Sequence, residues 1–394
     1  MNEPRTIKDV VAMSTPEESL KEVEAYLKEN PEDAMGWNSK GVLLATMGNF
    51  GPALRALNQA IRLNSDIPSA HSNKGRVLLA LGPDKAPEAL KSFDAALRLK
   101  PGDLSALRDK TVALRALDRL SEELKCLKLI VKQAPDEWQA WMRIGDIYLE
   151  AGKFKLATAA YDKVLAIDSK SVPAFVHRAI SLSMLKEWDK AIKSAESACE
   201  LAPDEIETWK VLGDVNVRAG KNKSAMKALE RAAKISPEDA QVENTMGMVE
   251  YKSGDLKEAI RHFRRASIRD RKNPRAYRSM ALISMELEEW ILSRDAWERY
   301  VQLVKNDAEA FDALALVYMR LQDFCSAADA WEKSRKLFKK AGKDKESSRV
   351  TELGRAARIN CSRAKKADRA QREREKATRT FSDRHRPRRS KKGE

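Results

Sequence analysis

Aromatic residues make up only 6% of this 394-residue sequence, and its 16 glycines and 14 prolines are too few for a loop-rich protein of many short strands. Uncharged apolar runs are short. None reaches 18 residues, and residues 1–19 hold no basic segment leading into an apolar stretch, so neither a membrane-spanning helix nor a secretory leader is expected. Cysteine is sparse as well: Cys126, Cys199, Cys325 and Cys361 lie far apart, form no CxxC pair and fall within helical patterns, where they read as small hydrophobes. That usage predicts a reducing compartment and a cytoplasmic location. The four histidines, His71, His177, His262 and His385, show no i, i+4 relation to one another or to a cysteine, and no metal site is expected. The sequence also lacks GxxxxGK[ST], GxGxxG and GxSxG, which removes the usual basis for a phosphate cradle or a nucleophile elbow. No cofactor and no enzymatic activity are expected.

What is present is repetition. A small residue precedes an alanine by about twelve positions again and again: Gly41 with Ala53, Gly75 with Ala89, Gly145 with Ala157, Ala179 with Ala191, Gly213 with Ala225, Gly247 with Ala259 and Ala315 with Ala327. Units therefore begin near Ala34, Pro68, Leu104, Trp138, Val172, Ile206, Ala240, Pro274 and Ala308, filling 34–341. The step is 34 residues except between the second and third units, where Gly82-Pro83-Asp84-Lys85 accommodates two more at little cost in loop entropy. Within one unit, Trp141, Ile144, Gly145 and Tyr148 form one helical stripe and Gly152 ends it. A second stripe runs through Leu156, Ala157, Ala160, Tyr161, Val164 and Leu165. Each unit is a helical hairpin whose small residues allow close approach, and it must stack on its neighbours to bury both faces.

These units resemble tetratricopeptide repeats. Trp37, Trp141 and Trp209 fill the pattern's first aromatic position, Tyr148 and Tyr318 its tyrosine, Phe93, Tyr161 and Phe263 the aromatic place on the second helix, and Pro101, Pro135, Pro203 and Pro237 close units. The third unit departs most, with Leu107, Thr111 and Glu123, and Glu243 and Ser293 depart in the seventh and eighth. The resemblance implies an all-α, right-handed superhelical solenoid of helix-turn-helix repeats with capping helices at both ends, whose concave surface binds protein or peptide segments. Trp141 and Trp209 are then expected inside their hairpins.

The flanking segments divide as follows. Residues 1–14 read as a flexible N-terminus, and 15–33 as a half-repeat helix with Leu20, Val23 and Leu27 on one face and a Thr15-Pro16-Glu17-Glu18 start signal. Residues 342–367 carry the stripe Val350, Leu353, Ala357, Cys361 and Ala364, as a capping helix would. Residues 368–394 read as a basic, disordered tail. From residue 355 onward there are 16 Lys or Arg against 5 Asp or Glu, which accounts for +11 of the net charge of +15. Arg384, Arg386, Arg388, Arg389, Lys391 and Lys392 are accordingly candidates for binding nucleic acid or another polyanion.

Positions on the first helices that face the groove in the resembling family change character along the chain. Units two to four place Arg76, Arg108, Arg115 and Arg143 there beside Asp109 and Asp146, a polar and mildly basic zone. Units seven to nine place Met248, Tyr251, Leu282, Met285, Leu316 and Met319, an apolar zone rich in adaptable methionine. The reading is a non-catalytic scaffold for protein segments, with an RNA- or ribosome-associated factor using its basic tail as the alternative.

Overall fold

The computed structural model describes residues 15–384, with side chains through residue 376. The described elements are helices, with no strand among them. Helix α1 (Pro16–Glu29) precedes nine hairpins: α2 (Ala34–Thr46) with α3 (Phe50–Leu63), α4 (Pro68–Leu81) with α5 (Ala86–Leu99), α6 (Leu104–Ala116) with α7 (Leu120–Gln133), α8 (Trp138–Glu150) with α9 (Phe154–Ile167), α10 (Val172–Met184) with α11 (Trp188–Leu201), α12 (Ile206–Arg218) with α13 (Asn222–Ile235), α14 (Ala240–Ser253) with α15 (Leu256–Arg269), α16 (Pro274–Glu286) with α17 (Trp290–Leu303), and α18 (Ala308–Arg320) with α19 (Phe324–Lys340). Helix α20 (Asp344–Arg384) closes the order, and a single 3-10 turn at Pro83–Lys85 takes up the two-residue insertion. The helices group into two compact units that divide at Ala202 and Pro203.

Local chemistry starts and stops these helices. Thr15 and Glu18 form a reciprocal capping box, and Asp33, Asp103, Asp239, Asn273 and Asp307 accept backbone N–H bonds at the starts of five first helices. Each first helix ends on a residue of positive φ at the fifteenth position of its repeat: Gly48, Gly82, Asp118, Gly152, Lys186, Gly220, Gly254, Glu288 and Gln322. In all but the second repeat the next residue donates its N–H to the carbonyl five residues back, as Lys153 does to Tyr148 at 2.8 Å, which satisfies an orphan carbonyl and turns the chain.

The hairpins close by small against large. A Cβ placed on Gly75 would lie 2.5 Å from the Phe93 ring, which is fully buried, so only glycine lets α4 and α5 approach this far. The same place on seven of the other second helices holds Leu57, Leu127, Tyr161, Leu229, Phe263, Trp297 and Trp331, all nearly or fully buried, while the fifth repeat sets the small Ala195 there against Ala179. In the first unit one core runs continuously from Leu78 to Tyr161, and in the second unit a comparable core runs from Ala259 to Val317.

Trp141 and Trp209 are half-buried, not enclosed within their hairpins. Each indole Nε1 donates to the carbonyl six residues earlier, Trp141 to Pro135 and Trp209 to Pro203 at 2.9 Å, and Trp37 does the same to Pro31 at 2.8 Å. An indole must keep its N–H satisfied as it packs, and here it pins the incoming loop to the helix.

Two further expectations are corrected. Cys325 and Cys361 form a disulfide between α19 and α20, with Cα atoms 4.9 Å apart, while Cys126 and Cys199 are buried thiols. With two of its four cysteines oxidised, the chain's cysteine usage no longer points to a reducing compartment. Helix α20 also continues through Arg384, past residue 367. Its extension runs on a backbone of strong helix formers and carries exposed i, i+4 pairs that add only weakly, Asp368 with Arg372 at 2.9 Å and Arg369 with Glu373 at 3.1 Å.

Candidate partner-binding site

The four arginines of the expected basic zone are already engaged. Arg115 Nε lies 2.9 Å from Glu123, and Arg143 grips the same carboxylate with Nε at 2.8 Å and Nη2 at 2.9 Å. Glu123 is fully buried in a place where most repeats have alanine, and its two partners come from successive hairpins. Burial alone would push its carboxyl up, but Arg143 and Arg115 outweigh that and hold it below the usual carboxylate range. Arg108 forms a fork on Glu137, with Nε at 2.9 Å. Arg76 donates to Asn73 and lies 3.5 Å from Asp109, whose carboxyl burial pushes up against the pull of Arg76. Asn73 in turn donates to Asn38 at 2.9 Å. Asp146 accepts from Tyr161 at 2.9 Å and meets His177 at 3.0 Å. The inner polar residues of the first unit thus tie neighbouring hairpins together.

Two apolar residues of that face are not among the expected groove residues: Val42 and Val112, 39% and 51% exposed. Both stand at the ninth position of their repeats, the position that singled out Met248, Leu282 and Leu316. Between α2 and α4, Val42, Ala45, Thr46, Asn73, Arg76 and Val77 help to line a cavity of about 280 Å³.

In the second unit the six expected apolar residues separate by position. At the ninth position Met248, Leu282 and Leu316 are 37%, 48% and 41% exposed, and Tyr251 at the twelfth is 44% exposed. Met285 and Met319, also at the twelfth, are half-buried. Met285 Sδ accepts from Trp297 Nε1 at 3.3 Å and packs on the core around it, and Met319 packs on the core shared by α19 and α20. Trp297 accounts for Met285, because its ring on the second helix reaches the methionine above it.

The seventh repeat holds a second buried carboxylate. Glu243 stands where three other repeats carry Trp37, Trp141 and Trp209, and it meets His262 Nδ1 at 2.7 Å, Arg269 at 2.6 Å and Arg265 at 3.2 Å. Burial would raise its carboxyl, but His262 and the two arginines hold it low. Ser293, in an alanine place of the eighth repeat, donates to the Ala281 carbonyl at 2.9 Å. These departures from the repeat pattern are satisfied internally. Among the described residues no group of three or more His, Cys, Asp or Glu is placed to hold a metal ion, and no helix is long and apolar enough to cross a membrane. Of the basic tail candidates, Arg384 is the last residue of α20, and Arg386, Arg388, Arg389, Lys391 and Lys392 lie outside the described residues, as does the segment 1–14.

Recurrent hairpins with a left-handed residue at one fixed place and glycine against a large second-helix residue are the marks of one repeat family. A family model described as tetratricopeptide repeat matches residues 43–104 and 103–172, and one described as the cytochrome c-type biogenesis protein H TPR domain matches residues 199–310. The chain is a tetratricopeptide repeat (TPR) protein. It is 29% identical over 191 residues to protein O-mannosyl-transferase TMTC3 of Homo sapiens, a match covering 45% of this chain and 21% of that protein. To cytochrome c-type biogenesis protein CycH of Bradyrhizobium diazoefficiens it is 24% identical over 207 residues, covering 52% of this chain and 55% of that one. The TPR chain therefore spans about a fifth of the mannosyltransferase and about half of CycH. Among solved structures it is similar to YrrB, described as a TPR protein with an unusual peptide-binding site, with a TM-score of 0.44, 21% identity and coverage of 48% of this chain and 96% of that one.

Proposed function

We propose that this TPR protein is a non-catalytic scaffold whose second unit holds an apolar partner segment along the first helices α14, α16 and α18. The observation that carries the reading is the recurrence of a large exposed apolar side chain, Met248, Leu282 and Leu316, at one position of three consecutive repeats, with Tyr251 beside them. Scattered exposed apolar residues are ordinary on any surface, but the same register in successive repeats is the pattern of a periodic binding strip. Such a strip suits an extended segment or an amphipathic helix that places apolar anchors at regular intervals. Methionine and leucine here bring flexible, weakly directional contacts, which favour shape-tolerant recognition. Met285 and Met319 would support the strip from beneath.

The test is selection from a displayed random-peptide library on the full chain and on its Leu282→Glu variant, with melting followed for both. Wild type should enrich apolar-centred peptides. The variant should lose them while its melting temperature holds, because exposed substitutions usually change stability by no more than about 0.5 kcal/mol. Enrichment that survives the substitution, or a large fall in melting temperature, would refute the strip.

A further inference from the structure

Helix α20 changes its surroundings part-way along. Val350 and Ala357 are fully buried against the core that includes Ala328 and Trp331, and Leu353 packs beside them. The Cys325–Cys361 disulfide ties the helix to α19 where this packing ends, and every described side chain from residue 362 to 376 is exposed, Ala364 included. Alanine is the sole apolar residue type in that exposed stretch. An arm of this kind has no face to insert into a lipid interface and none to pair in a coiled coil.

It has instead a charged face. Residues 355–376 contain nine Lys or Arg against three Asp or Glu. At 3.6 residues per turn, Arg355, Arg358, Lys365, Lys366, Arg369 and Arg372 fall within a sector of about 120° that runs for roughly 25 Å along the axis. Glu373 is the one carboxylate of that stretch inside the sector, at 3.1 Å from Arg369. Exposed pairs of this kind are weak and exchange readily for another anion. At the root of the face, Arg335, Arg355 and Arg358 open with Glu332 onto a cavity of about 320 Å³ between α19 and α20. Glu332 takes Arg335 at 2.6 Å and Arg358 at 3.5 Å, while Arg355 joins no ion pair among the described residues.

We infer that this helical face binds the phosphodiester backbone of a nucleic acid, with the three-arginine cavity receiving one phosphate and the exposed row tracking those that follow. A straight basic row needs a partner with charges at regular intervals, and each strand of a duplex supplies one about every 3.4 Å. A protein surface would have to build a comparable row of carboxylates from separate side chains. Arginine is the commonest residue of the row, and its planar fork matches phosphate oxygens two at a time. The disulfide gives the arm a fixed root. The inference is independent of the apolar strip.

The test measures binding of the full chain to labelled single-stranded RNA, single-stranded DNA and duplex DNA at several salt concentrations. Two variants are compared with wild type: Arg355→Gln/Arg358→Gln/Lys366→Gln/Arg369→Gln on the helix face, and Arg386→Gln/Arg388→Gln/Arg389→Gln/Lys391→Gln/Lys392→Gln beyond it. The face variant should bind at least about tenfold more weakly, and its log–log salt slope should fall by about 0.7 to 0.9 for each phosphate contact removed. The second variant should retain the slope that the face contributes, and the three oligonucleotides identify which nucleic acid is preferred. In the wild-type chain, bound oligonucleotide should also protect Lys365 and Lys366 from acetylation, a readout that needs no variant. Unchanged binding by the face variant together with unprotected lysines would overturn the assignment. So would equal affinity for poly-glutamate of the same length, or binding to phosphatidylserine vesicles with none to any oligonucleotide.

Discussion

At the scale of single residues, the buried carboxylates make the sharpest test. Glu123 is fully buried and gripped by two arginines, so its folded form favours the ion and its pKa lies below that of the unfolded chain. The stabilisation is therefore complete above the unfolded value of about 4.3 and is lost as pH falls through the lowered folded value. Glu123→Gln should cost about 3 kcal/mol at pH 7, toward the lower end for a broken buried pair because Arg115 is half-exposed. The gap between variant and wild type should narrow as pH drops from 5 toward 3, as followed by urea unfolding across that range. A gap that stays constant would show that the carboxylate charge contributes nothing. Glycine was readable as a spacer from its neighbours in the repeat, whereas a glutamate in an alanine place gave no sign of which arginines would reach it. They sit 8 positions before it and 20 after, on different hairpins.

At the scale of elements, the turn between the helices of a repeat repeats one backbone state. Four of its residues, Asp118, Lys186, Glu288 and Gln322, hold positive φ with a side chain, at 53 to 61°. A left-handed conformation costs a non-glycine residue about 1–2 kcal/mol, part of which glycine gives back through its freer unfolded chain. Glu288→Gly should therefore raise stability by roughly 0.5–1 kcal/mol, seen as a higher urea midpoint with an unchanged slope. The docking of α20 offers the opposite case. The disulfide closes a loop of 36 residues, for which the chain-entropy relation gives about 3–4 kcal/mol, so Cys361→Ser should lower the unfolding midpoint of the second unit by a corresponding amount. Reductant should do the same to wild type and leave the variant unchanged. The capping role of α20 was visible in its stripe of Val350, Leu353 and Ala357, but its length was not. A segment without apolar periodicity reads as unstructured until the salt bridges along one helical face are seen.

At the scale of the whole molecule, a repeat array distributes its stability over near neighbours, and distant changes should act independently. Glu123 belongs to the first compact unit and Cys361 to the second. The double variant Glu123→Gln/Cys361→Ser should show the sum of the two single effects within about 0.5 kcal/mol by urea unfolding. A larger discrepancy would reveal coupling that a nearest-neighbour array does not carry. The sequence by itself determined the all-helical class, the repeat family and the 34-residue period, because each is set by contacts between residues close in the chain: helix stripes, caps, and a small residue facing a large one across a single turn. Only the tertiary structure decided that Cys325 meets Cys361, that four groove arginines are spent on carboxylates, and that Met285 sinks against Trp297 and Met319 against the core of α19 and α20 while Met248, Leu282 and Leu316 stay open. Those outcomes depend on which side chains from different helices arrive at one place, and spacing along a single helix does not contain that information.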